Sequence, residues 1–169
     1  MKYNPTPIPN TGPPPPYYVI EFDKKFAEIL TACARKVGGA CGVSTGINGQ
    51  TLVVGGRFSL DGYIDQEGRR VYYFTTAVGF QVSAKPLGIS GSNMYIIAPG
   101  ASATDFKGLG SSAGGSASAG LRAAVDLVFT ITDTGPKPIA FAIGTQNGIN
   151  AEVHSMVSYS LVLYNSQNR

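Results

Sequence analysis

The sequence predicts a mainly β protein: an antiparallel β-sandwich of jelly-roll type, preceded by an extended Pro-rich arm and one short N-terminal α-helix. Three observations predict it. From about Gly42 onward the apolar residues recur with period two rather than 3.6. Only 14% of the 169 residues are charged while 43% are hydrophobic, which fits a surface of Ser, Thr, Asn and Gly and argues against disorder or a long solvated helix. Seven or eight strand-like segments follow one another with no helical segment between them, the pattern of a sandwich or barrel. Three regions result: an arm over residues 1–18, a helical segment over 19–41 and a β domain over 42–169.

The arm comes first. Pro5, Pro7, Pro9 and Pro13 to Pro16 fix φ and remove backbone donors, so this stretch is neither helix nor central strand. It is expected to be extended, near polyproline II, and residues 5–16 would reach about 37 Å. Asn10-Thr11-Gly12 permits one bend.

The helix follows. Phe22, Phe26, Ile29, Leu30, Cys33 and Val37 fall at helical spacing on one face, with Asp23 as the expected N-cap. Arg35 and Lys36 suit the last turn and Gly38-Gly39 stops the helix. Cys33 and Cys41 are too few for a disulfide framework; their spacing permits one bridge, and two buried free thiols are the expectation.

The strands occupy the rest. In residues 71–82, Tyr72, Phe74, Val78, Phe80 and Val82 share a face opposite Thr75, Gly79 and Gln81. In 121–131, Leu121, Ala123, Val125, Leu127, Phe129 and Ile131 lie opposite Arg122, Asp126 and Thr130. In 153–163, Val153, Val157, Tyr159, Leu161 and Leu163 lie opposite His154, Ser158 and Ser160. These read as half-buried antiparallel strands with the apolar face on the core. Shorter strands are expected at 51–54, 57–60, 93–98 and 138–143, with hairpin turns at Asn48-Gly49 and Gln66-Glu67-Gly68. Residues 99–120, rich in Gly, Ser and Ala, are expected to form a long loop.

Several function classes are disfavoured. The net charge of +3 is small and its cations are scattered, so no nucleic-acid face is expected. No apolar run approaches the eighteen or so residues of a membrane helix and none resembles a signal peptide, so a soluble chain without membrane insertion is expected. The only histidine, His154, neighbours Ser155, but adjacent strand residues point to opposite faces, so no Ser-His pair forms. His154 is expected on the outer face or at a subunit contact. Asp61, Asp65 and Glu67 lie close together but lack the spacing of a calcium loop, and read as a hairpin turn. The stretch GLGSSAGG has no GK[ST] to close a phosphate loop. No catalytic residue, metal or cofactor is expected.

What remains is binding and architecture. Pro14-Pro15-Pro16-Tyr17 and Pro15-Pro16-Tyr17-Tyr18 match P-P-x-Y, which resembles the ligand of WW domains. More broadly, the layout of Pro-rich arm, helix and Gly/Ser-decorated β domain resembles trimeric virion surface proteins of bacteriophages, of head-fibre, capsid-decoration or knob type. The resemblance covers the whole chain as layout and carries over no site residues. It implies a non-enzymatic homotrimer assembled in the host cytoplasm and located on the virion. Tyr3, Pro5, Pro7, Ile8, Pro9, Pro13, Pro14, Pro15, Pro16, Tyr17 and Tyr18 would anchor it to a capsid or another virion protein. Several strands carry apolar side chains on both faces, and a second apolar face wants a partner. Phe26, Ile29, Leu30 and Cys33 at a three-helix axis, with Met156, Val162 and Tyr164, are the expected contacts between copies. A host-surface glycan or receptor is a further expected partner. The alternatives are a β-sandwich adhesin or glycan-binding module, a single jelly-roll capsid subunit, and an adaptor recruiting WW domains.

Overall fold

The computed structural model describes residues 15–83, 87–119, 121–147 and 152–167. Helix α1 (Tyr17–Val37) precedes eight strands: β1 (Gly39–Thr51), β2 (Val54–Asp65), β3 (Arg70–Ser83), β4 (Leu87–Pro99), β5 (Gly108–Ala119), β6 (Leu121–Thr132), β7 (Gly135–Asn147) and β8 (Glu152–Asn165). The mainly β class and the single helix are as the periodicity predicts. The architecture is a closed antiparallel barrel in place of the expected sandwich, with ring order β1-β2-β3-β8-β5-β6-β7-β4. Closure comes from strand length: β1 pairs along its length with both β2 and β4, and β8 with both β3 and β5, so no edge is left open. The ring contains two Greek keys, β4-β1-β2-β3 and β8-β5-β6-β7, joined by the β3–β8 and β4–β7 pairs.

Two expected turns or loops are strand. Asn48-Gly49 lies inside β1, paired with Arg57 and Gly56 of β2, and the chain reverses at 52–53 instead. Most of the expected 99–120 loop is β5, which pairs with β6 and β8 despite its low strand propensity. Small residues are required there: a Cβ on Gly114 would sit 2.1 Å from Asp126 Oδ1 and 2.3 Å from the Val125 carbonyl. The reversal at Gln66-Glu67-Gly68 forms as expected between β2 and β3.

Helix α1 starts earlier than its sequence signals suggest, with Pro16 as the N-cap, so Asp23 lies within the helix. Asp23 instead accepts a hydrogen bond from Tyr72 Oη at 3.2 Å and pairs with Arg70. Gly38, at φ 63°, donates its N–H to the Ala34 carbonyl and ends the helix. Leu30 and Ala34, with Phe22, Phe26, Cys33 and Val37, pack on Cys41, Val43, Ile64 and Ile97 of the barrel's outer wall. Cys33 and Cys41 are joined in a disulfide, with Cα atoms 6.1 Å apart, in place of two free thiols.

Candidate functional site: an apolar wall around a polar lumen

The largest departure from expectation is which face of each strand is inside. The strand pairing sorts residues as predicted, but the apolar faces point outward. Phe80 is 78% exposed and Val157 52%, while Gln81 and Met156, their neighbours across the pleat, are 1% and 4% exposed. Phe58 and Leu60 of β2, Ile89 and Tyr95 of β4, Val125 and Leu127 of β6, and Phe141 and Ile143 of β7 are exposed in the same way. The apolar wall therefore runs round the circumference. On β5 it continues as uncharged small residues, Ala113, Gly115 and Ala117. Charged side chains among the described residues outside the lumen cluster at one end, where α1, Arg70, Lys107, Asp133 and Lys137 lie. At the opposite end Leu52, Val53 and Leu87 are exposed.

The lumen is layered. Its helix end is an apolar plug: Tyr63 stacks on Phe106 with centroids 3.9 Å apart, Tyr73 Oη donates to the Ala103 carbonyl at 2.7 Å, and Met94 and Ile96 fill around them. Burial and the Asp61 charge push the Tyr63 phenol well above its ordinary pKa, and burial with the Asp105 charge raises that of Tyr73.

Below the plug the lumen is ionic. Arg57 reaches Asp126 at 3.4 Å and Ser44 Oγ at 3.2 Å. His154 stands between Asp126, 3.3 Å from Nε2, and Glu152, 3.7 Å from Nδ1. Burial alone would lower its pKa. The hydrogen bonds and charges of Asp126 and Glu152 outweigh that and raise it to about 9, so His154 is a cation at neutral pH. Glu152 also accepts from Gln81 at 2.6 Å and Gln146 at 2.9 Å, and Gln81 donates to Gln50, closing the far end with a polar layer. Eight strands enclose a lumen that side chains largely occupy, leaving a cavity of about 80 Å3 below the plug.

The residues expected to carry function are scattered over this frame. Tyr3, Pro5, Pro7, Ile8, Pro9, Pro13 and Pro14 lie outside the described residues. Tyr17 is exposed at the start of α1, and Tyr18 packs edge-on against Tyr72. Of the expected copy contacts, Leu30 and Met156 are buried within the chain itself. The helix stripe lies on this chain's own barrel because the outer wall offers it an apolar surface. Ile29 is 62% exposed on the free side of the helix. Tyr164 packs against Tyr72, and Val162 pairs with Tyr73 at the helix end. His154 is in the lumen, not on the outer face, with Ser155 on the opposite side of the strand as predicted. Asp61, Asp65 and Glu67 do not converge: Asp61 faces the lumen, Asp65 is buried in the β2–β3 turn and Glu67 is exposed. Among the described residues no group of three or more His, Cys, Asp or Glu forms a metal centre.

The lumen cluster of Arg57, Asp61, Asp126 and Glu152 is not singled out by the sequence reading. Its signal is there: each is an ionic residue on the polar face of a strand whose other face is apolar. No family model, curated protein or solved structure matches this chain.

Proposed function

We propose that the chain is a membrane-embedded β-barrel that anchors helix α1 and the Pro-rich arm at one membrane surface. The carrying observation is the outer wall, apolar or neutral around the whole circumference and free of charge between the helix end and the opposite tip among the described residues. A wall of this kind with an ionic lumen inverts the soluble pattern and matches the lipid-facing band of transmembrane barrels. Closed backbone pairing meets the demand that every amide be satisfied without water. The strands, of 12–14 residues, exceed the about 9–11 that a tilted strand needs to cross. Among the described residues no helix is long and apolar enough to cross a membrane, a criterion that does not bear on barrels. The expectation of a soluble chain rests on apolar run length, which alternating strands never supply. The charged end, with α1, would face water, and the plugged lumen suits an anchor rather than a pore.

The test is Val157→Arg, a change on the wall midway along β8 opposite Val78. In lipid it should cost about 2–4 kcal/mol of folding free energy, measured by urea titration in vesicles. If Val157 faces water, the same change leaves stability within about 0.5 kcal/mol, which would refute the reading.

A second reading follows the layout: a homotrimeric virion surface protein whose wall is covered by copies and whose residues 1–18 grip a capsid protein. The exposed Tyr17, Ile20 and Ile29 on α1 favour it. It predicts a discrete trimer in buffer without detergent, unchanged when residues 1–14 are deleted.

A further inference from the structure

We propose that the lumen holds a binding site for one monovalent alkali cation, seated against the Asp61 carboxylate. The site lies inside the barrel and is independent of what covers the outer wall. It is a cavity of about 80 Å3 below the aromatic plug. The carboxylates of Asp61, Asp105 and Asp126, the hydroxyls of Ser44, Ser59, Thr75 and Ser160, and Arg57 line it.

Asp61 is 7% exposed. Its Oδ2 accepts from Thr75 Oγ1 at 2.5 Å, and that hydroxyl lies 2.8 Å from Ser160 Oγ. Its Oδ1 is buried without a hydrogen-bond partner among the described residues. The cations of the lumen are engaged elsewhere: Arg57 bonds Asp126 and Ser44, and His154 lies between Asp126 and Glu152. Three carboxylates thus share two cations, and Asp61 is the one with no ion-pair partner among the described residues. A buried carboxylate with one hydroxyl donor and a bare oxygen is costly unless a positive charge meets it.

The donor set selects the kind of charge. All its acceptors are hard oxygens, carboxylates and hydroxyls, which suits an alkali ion and not a soft metal. Asp126 is paired with Arg57 and His154, and Asp105 is exposed and accepts from the Ser102 amide, so the buried surplus is the single charge of Asp61, which calls for a single positive one. One water needs about 10–15 Å3 of such volume, so 80 Å3 admits an alkali ion with a few waters and excludes choline. Arg57 lines the same cavity, but its two bonded partners draw its charge toward Asp126.

The experiment is thermal unfolding of the full chain in a non-ionic detergent, at constant ionic strength, with sodium, potassium or choline chloride. Sodium or potassium should raise the midpoint saturably by about 5 °C over choline, and Asp61→Asn should abolish that difference. Superposable curves in the three salts, or an undiminished difference in Asp61→Asn, would overturn the site. If Asp61→Asn does not fold, sodium-23 line broadening by the unaltered protein, reversed by potassium, supports the site, and its absence refutes it.

Discussion

Asp65 shows how much a single carboxylate can organise. It is fully buried at the end of β2 and accepts from the Glu67 and Arg69 amides at 3.1 and 3.0 Å, closing the turn into β3. Its other oxygen accepts from Arg69 Nε at 2.6 Å, Ser102 Oγ at 3.3 Å and the Ala103 amide at 3.2 Å. That second set ties the turn to the segment that carries Ala103 and Phe106 into the lumen plug. Asp65→Ala leaves the Arg69 guanidinium and three amides short of a partner, and should cost about 3 kcal/mol in denaturant titration. A loss below about 1 kcal/mol would contradict this role. His154 supplies a pH dependence. Its folded pKa, about 9, lies above the unfolded value of about 6.5, so its stabilisation is complete below about 6.5, declines as pH rises and is lost above about 9. Unfolding midpoints measured from pH 6 to 10 should fall across that window and fall less in His154→Gln; equal slopes would refute the pairing. The turn at Asp65 is legible in the sequence, but its tie to Ala103 and the pairing of His154 are not, because both depend on which distant segment lies alongside. The divergence of His154 and Ser155 is legible, since the two-residue period of a strand alone decides it.

At the scale of elements, α1 and β5 fail and succeed for different reasons. The stripe of α1 and its Gly38 stop are local signals and are read correctly. What the stripe packs against is a tertiary fact, and the answer, the chain's own outer wall, also brings Cys33 to Cys41. That bridge closes an eight-residue separation and should contribute about 2 kcal/mol by limiting the unfolded chain. A dithiol reductant should lower the unfolding midpoint of the native chain and leave a Cys33→Ser/Cys41→Ser chain unmoved. No change in the native chain would deny the bridge a stabilising role. β5 is misread because Gly, Ser and Ala have low strand propensity, yet two long neighbours supply its pairing and Asp126 needs the room at Gly114. Gly114→Val should therefore destabilise by at least about 1–3 kcal/mol, through the lumen and not the wall. Stability equal to the unaltered chain would show the contact is not tight.

For the whole molecule, periodicity yields the strands but not their polarity. Tyr72, Phe74, Val78, Phe80 and Val82 are grouped on one face by the sequence, and nothing in one strand says whether that face meets a core or lipid. The assumption that apolar means inside supplies the sandwich. The pairing of eight long strands into a ring supplies the barrel, and with it the inversion: Arg57, Asp61, Asp126, Glu152 and His154 converge in the lumen and the apolar faces form the wall. Those five ionic residues come from β2, β6 and β8, so only closure brings them together. Folding the unaltered chain into phospholipid vesicles and floating them after an alkaline wash decides whether this wall faces lipid. A lipid-facing wall gives a folded β-barrel that floats with the vesicles and needs detergent when they are absent. A folded, monodisperse monomer in plain buffer that the wash strips from the vesicles would contradict it.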